Sequence, residues 1–185
     1  MRVSPERKAE TRERILTAAT ELFRAHGIDA VGVDAVMHKA GLTHGGFYAY
    51  FPSKEALVAE ASAASLTRSA DRWQRISQET DPEAALSRIM DSYLDPAHVA
   101  MAESGCVLTT LGPDVARRPG MRPAISVSIR RMVDALTRCL PGRSREQALC
   151  ALTSMVGAVV LARLADEPVL AAEILAAARR TAGLR

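Results

Sequence analysis

The stretch THGGFYAYFPSK, residues 43–54, brings hydroxyl, imidazole, phenol and ammonium groups together on a short segment. Such groups donate hydrogen bonds to phosphate oxygens and base edges. Thr43 can cap a helix or donate to a phosphate, and the helix N-terminus itself attracts the same anion. His44 is the candidate for touching a base edge, while the Tyr48 and Tyr50 hydroxyls suit phosphate oxygens. Lys54 falls in the first turn of the next helix, where the dipole disfavours it unless a phosphate compensates. Gly45 and Gly46 together cost about 2 kcal/mol of helix propensity relative to alanine. Missing side chains at that place let a backbone approach a duplex closely. The competing reading is a Gly-Gly loop between two core helices, with the aromatics as core residues.

A second candidate chemistry lies in the thiols. Cys106 follows Gly105 at the expected start of a helix, a position that favours thiolate and lowers the pKa. That placement suggests a redox or electrophile sensor, or, with His98 as base, a thiol enzyme; the irregular segment between His98 and Cys106 gives no reason to expect their contact. Cys139 and Cys150 read as core. The cysteines Cys106, Cys139 and Cys150 form no CxxC pair, which argues against a disulfide framework and for a reducing interior. His26, His38, His44 and His98 have no metal-site spacing, so neither metal nor cofactor is expected.

Charge by itself does not point to nucleic acid. The chain carries a net charge of +3, but residues 1–60 hold eight Lys/Arg against eight Asp/Glu. DNA binding therefore has to rest on a placed motif. Residues 117–145 hold eight arginines (117, 118, 122, 130, 131, 138, 143, 145) against Asp134 alone. A solvated face is the default reading of that run, and an anionic ligand or a second nucleic-acid contact the weaker one. The charged N-terminus lacks the apolar core of a secretion signal. The longest uncharged apolar stretch, Ala148–Ala162, is 15 residues and short of a membrane span. A cytoplasmic, soluble chain with no membrane partner is expected.

The elements that must hold these residues are all helical, since no run alternates as a strand would. A first helix is predicted from about Lys8, with the seven residues before it loose, to His26, where Gly27 ends it. Val33–Ala40 forms a second helix broken by Gly41. A third, capped by Thr43, reaches about Tyr50, with Phe47 and Phe51 packing inward on Val36 and the first helix. Ser53 caps a long fourth helix to about Gln78. Asp81 and Pro82 open the next, which carries Leu86, Ile89, Met90, Tyr93 and Leu94 on one face. Residues 95–105 read as irregular or a single turn. Helices follow at Cys106–Arg118, Ile125–Leu140, from a Ser144/Gln147 capping box to Leu164, and from Asp166 to about Ala182. Helix, Gly41 turn, helix is helix-turn-helix geometry, with its second helix sized for the major groove.

Residues 12–57 resemble the N-terminal domain of the TetR family of transcriptional repressors. The match runs through Ile15, Ala18, Ala19, Phe23, Gly27, Val33, Val36, Ala40, Gly41, Gly45, Tyr48, Phe51, Ser53, Lys54 and Leu57. The resemblance implies DNA-facing roles for Thr43, His44, Gly45, Gly46, Tyr48, Tyr50 and Lys54, and makes the protein a regulator rather than an enzyme. Gly32 and Gly46 depart from positions where hydroxyl residues are common in the family, and Tyr50 replaces a frequent histidine. The segment GCVLTTLGPDVAR is similar to a subgroup whose body opens a helix at a Gly-Cys turn.

On this reading the chain divides at 1–53, a three-helix DNA-binding head, and 54–185, an all-helical body for ligand binding and dimerisation. The resemblance implies a homodimer on a near-palindromic double-stranded DNA operator, released by a small apolar or aromatic inducer. Leu152, Met155, Val156, Val159, Val160, Val169, Leu170 and Ile174 are the candidate dimer interface, because the last two helices carry more apolar surface than a monomer of this size can cover. A central helix in a monomer core is the alternative for that surface. Trp73, Met90, Tyr93, Met101, Cys106, Leu108, Thr109, Met132 and Leu136 are candidate walls of a ligand pocket, with plain core as their alternative.

Overall fold

The computed structural model describes residues 4–79, 81–140, 142 and 144–182, and among them every regular element is helical. Ten α-helices follow one another: α1 (Pro5–His26), α2 (Val33–Lys39), α3 (Lys54–Glu79), α4 (Pro82–Tyr93), α5 (Pro96–Ala100), α6 (Val107–Thr110), α7 (Gly112–Ala116), α8 (Arg122–Cys139), α9 (Arg145–Leu164) and α10 (Pro168–Ala182). A 3-10 helix, His44–Ala49, follows α2.

Local chemistry explains most of the boundaries. Ser4 accepts the Arg7 N–H and Pro5 takes the first helical position, so α1 starts three residues before the Lys8 expected from the sequence. Residues 5–7, expected to be loose, are helical; residues 1–3 lie outside the described part. Asp81, Asp95 and Ser144 cap α4, α5 and α9 through side-chain oxygens. Ser53 accepts the Ala56 N–H at the start of α3. The helix expected over Cys106–Arg118 is two short helices instead, because Gly112 and Pro113 open a new one after Leu111.

The head is built on α1. Ile15, Leu16, Ala18, Ala19 and Phe23 bury one face of it against α2 and the first half of α3. Phe47 and Phe51, 0% and 1% exposed, stack with centroids 5.9 Å apart under that face. Two turns need glycine. Gly27, at φ 82°, donates to the Phe23 carbonyl, and Gly41, at φ 69°, lets Leu42 N–H reach the Met37 carbonyl. Arg12 on α1 joins α3 through a two-pronged ion pair with Glu60 and lies 4.6 Å from the centre of the Phe51 ring.

In the body, α3 packs along α8, and α9 is held between α8 and α10. α9 has the limits expected from its capping box and Leu164, but judging a membrane span from its 15 uncharged residues alone fell short. At 20 residues it is long and apolar enough to cross a membrane by length and composition, yet seven of its residues are buried against neighbouring helices of this fold. The buried series Ala148, Ala151, Leu152, Met155, Ala158, Val159 and Ala162 is its inward face. Leu152, Met155 and Val159, expected at a dimer interface, are therefore covered by the chain's own body (4%, 0% and 0% exposed).

Gly41 supplies the stability test. An added Cβ there would sit 3.0 Å from an Arg14 guanidinium nitrogen and in a left-handed backbone region. Gly41→Ala is expected to destabilise the protein by about 1–2 kcal/mol in denaturant unfolding. Unchanged stability would show that the turn relaxes freely.

Candidate nucleic-acid interface and effector cleft

The segment after the Gly41 turn forms a 3-10 helix rather than the α-helix expected. Its N-cap Thr43 makes no side-chain cap bond, so the expected capping role is absent and the hydroxyl is exposed. Two glycines in the first turn explain the tighter, weaker helix, since they contribute no side-chain packing and favour non-helical states. Neither glycine is required by the protein itself. Neither has a positive φ; a Cβ at Gly45 would meet nothing within 4 Å, and one at Gly46 would make ordinary contact at 3.7 Å with Met37.

The aromatic side chains divide between the two faces of this short helix. Phe47 is buried beneath it, while Tyr48 packs edge-on against Phe47 and remains 69% exposed. Tyr50 is half-buried against the head core. His44 is exposed, and its Nδ1 pairs with the Asp34 carboxylate on α2, a contact that sequence reading missed. Lys54 opens α3 directly after this segment. Thr43, His44, Gly45 and Tyr48 thus share one exposed ledge, with Gly46 and Tyr50 half-buried beside it.

The body holds a cleft of about 340 Å³ between α3, α4 and the 95–106 segment. Trp73, Tyr93, Met101 and Cys106 line it, as do His98 and Arg72, which sequence reading did not include. Leu108 lines a separate, mostly apolar cavity of about 290 Å³ with Val107, Val115, Ile125 and Ile129. Met90, Met132 and Leu136 are core at 5%, 0% and 0% exposure and lie on neither wall, because α4 and α8 turn these faces into the helix packing. Thr109 is taken up by Arg163, which donates to its hydroxyl at 2.9 Å.

Hydrogen bonds around the cleft fix the state of His98. Its Nδ1–H donates to the Tyr93 carbonyl at 2.6 Å, so Nε2 is free to accept the Cys106 N–H at 2.9 Å. Burial, with Arg163 and Arg24 nearby, holds its pKa below the usual histidine range. His98 and Cys106 do meet, then, but through the cysteine backbone; the ring lone pair is occupied and offers the thiol no base. Cys106 itself is 6% exposed, and burial pushes its thiol pKa up, against the lowering expected at a helix start. A helix of four residues carries too weak a dipole to offset that desolvation. The Tyr93 hydroxyl is buried against this thiol with no other hydrogen-bond partner among the described residues, and burial raises its pKa as well.

Arginines tie the cleft to the rest of the molecule. Arg24, in the last turn of α1, donates to the Gly105 carbonyl at 2.6 Å and to Ser65 on α3 at 3.3 Å. Arg163 on α9 reaches the His98 and Val99 carbonyls. Within the arginine-rich run, Arg117 and Arg118 pair with Asp114, Arg131 with Asp71 and Arg145 with Asp134, which fits the solvated-face reading. Arg143 lies outside the described residues. On the last two helices Val156, Val160 and Ile174 are half-buried and Val169 and Leu170 exposed, joined by Leu161 and Leu164 at 54% and 76%.

A small helix-turn-helix head fused through one long helix to an all-helical body is the architecture of a one-component transcriptional regulator. Residues 15–61 match the family of bacterial regulatory proteins described as the tetR family. Over 95 residues the chain is 32% identical to the uncharacterized HTH-type transcriptional regulator TtgW of Pseudomonas putida, covering 51% of this chain and 71% of that one. The chain belongs to the tetR family. It is also 35% identical over 68 residues, 37% of its own length, to the uncharacterized regulator YvdT of Bacillus subtilis (strain 168), but spans just 35% of YvdT. In three dimensions it resembles the reduced form of E. coli NemR, with a TM-score of 0.80, 21% identity and coverage of 94% and 95% of the two chains.

His98 yields a pH prediction. A ring held neutral in the fold must take up a proton on unfolding at mildly acid pH. Its contribution is therefore complete above the ordinary histidine value of about 6.5 and is lost as pH falls from there through the lowered folded value. The wild-type protein is expected to lose stability more steeply between neutral and mildly acid pH than His98→Gln, as measured by denaturant midpoints. Equal slopes would refute it.

Proposed function

We propose that this chain is a homodimeric, ligand-responsive transcriptional repressor that binds a near-palindromic DNA operator and is released by a small molecule in its body. The observation that carries this reading is the bare leading end of the His44–Ala49 helix. Two glycines stand there that the protein's own packing does not require, beside an exposed Tyr48 and His44. A helix end free of side chains and of covering body can enter the major groove, about 12 Å wide, and bring its backbone close to phosphate. Thr43, Tyr48, Tyr50 and Lys54 then serve the phosphates and His44 a base edge.

Two heads about 34 Å apart match successive major grooves, which is why a dimer is needed. The apolar residues left uncovered on α9 and α10, among them Leu161, Leu164, Val169 and Leu170, support a pairing face for it. The buried Met155 and Val159 support that face from behind. The cleft beside Trp73 and Tyr93 is the proposed inducer site. Its walls are about as polar as they are apolar, so an aromatic compound carrying a hydrogen-bonding oxygen suits it better than a purely apolar one.

Gel-shift titration against DNA flanking the gene, at two salt concentrations, tests the central claim. Affinity is expected to fall steeply with salt, with a log–log slope of about 0.9 per neutralised phosphate. Lys54→Ala is expected to weaken binding to all sequences alike and His44→Ala to alter sequence preference. Absence of any binding above background would end the repressor reading. For the dimer, Leu164→Glu combined with Val169→Glu is expected to shift the protein to monomer in analytical ultracentrifugation. A dimer that persists would place the interface elsewhere.

A further inference from the structure

The geometry points to Asp34 as the residue that sets which base His44 reads, an inference that rests on the DNA-binding function proposed above. Asp34 sits in the first turn of α2, whose N-cap Gly32 offers no side-chain bond to the helix. An acid at that place ordinarily serves the helix N-terminus. Here its carboxylate instead hydrogen-bonds the ring of His44 across the turn of the helix-turn-helix unit. Asp34 and His44 side chains are 82% and 54% exposed, and so open a pair contributes little to stability. A carboxylate beside the proposed groove-entering end also repels phosphate, which leaves orientation of the ring as what the pair supplies.

The chemistry of that orientation is specific. In the tautomer whose Nδ1–H donates to the Asp34 carboxylate, Nε2 keeps its lone pair as an acceptor. In the major groove the hydrogen-bond donors are the amino groups of adenine and cytosine; guanine presents acceptors there. Held by Asp34, His44 therefore selects an amino-bearing base. Without Asp34 the ring is free to rotate and to adopt the other tautomer, and the selection is lost.

Binding-site selection from random duplexes tests this, with wild-type, His44→Ala, Asp34→Ala and Asp34→Asn proteins checked for equal thermal stability. In the wild type, the operator position whose preference disappears in His44→Ala is expected to be adenine or cytosine, favoured about fivefold to tenfold. Asp34→Ala is expected to lose preference at that same position and no other. Asp34→Asn retains an acceptor oxygen for Nδ1–H, so it is expected to keep the preference while binding all sequences more tightly through loss of a negative charge. Guanine at that position, or an Asp34→Ala protein with wild-type preferences and uniformly higher affinity, overturns the assignment. A wild-type protein that selects no sequence at all would instead overturn the DNA-binding function itself.

Discussion

Helix α3 runs through one continuous core that head and body share. Leu57, Val58 and Ala61 near its start close the head beneath α1, and Trp73 and Ile76 near its end pack in the body. A rod of 26 residues is about 39 Å long at 1.5 Å per residue, and it transmits tilt with little bending. Because the Lys54 end follows directly on the exposed 3-10 segment, the position of that segment is fixed by what α3 does in the body. Arg12 with Glu60 and Thr20 with the Ala61 carbonyl fasten α1 to the same rod.

Arg24 adds a second route between the two parts. Its guanidinium is largely buried, and burial together with Arg68 nearby lowers its pKa. Removing an arginine from water is unfavourable unless acceptors replace the water. The Gly105 carbonyl is the main acceptor, and Gly105 precedes the cysteine whose N–H is held by His98. Arg163 fastens the other side of the same segment and approaches so closely that a Cβ at Gly105 would lie 2.6 Å from it. A segment of two short helical pieces, Pro96–Ala100 and Ala102–Ser104, thus keeps its shape through side-chain donors to backbone carbonyls, supplied by the first and ninth helices together.

Sequence periodicity made the helices legible, because caps and turns act locally: Asp81–Pro82, Ser144 and the Gly41 turn each announce themselves within four residues. The buried Phe47 and Phe51 pair was legible for the same reason. What could not be read depended on partners far along the chain. Arg24 and Arg163 look like ordinary solvent-facing residues until Gly105 and Val99 are brought beside them. The apolar residues of α9 were recognised, but assigning Met155 inward and Leu161 outward needs the positions of α8 and α10. Cys106 misled because a helix start was visible in the sequence while its four-residue length and its burial under Tyr93 were not. Asp34 was not singled out in the sequence, because its pairing with His44 depends on the turn that brings α2 beside the 3-10 segment.

For a ligand in the cleft to move the proposed heads, its binding energy must differ between the two head positions. Moving a population from mostly one state to mostly the other needs roughly 5.5 kcal/mol of such difference. A compound lying on Trp73 alone would sit equally well in both, since α3 moves as a unit. The segment 98–106 is different: it forms the cleft wall on one side and accepts Arg24 on the other. A ligand at the Tyr93 hydroxyl would lie beside His98 and Cys106 on the same cleft wall, next to the Gly105 carbonyl. Losing that acceptor leaves Ser65 as the remaining partner of a largely buried guanidinium, a loss that a shift in the last turn of α1 would relieve.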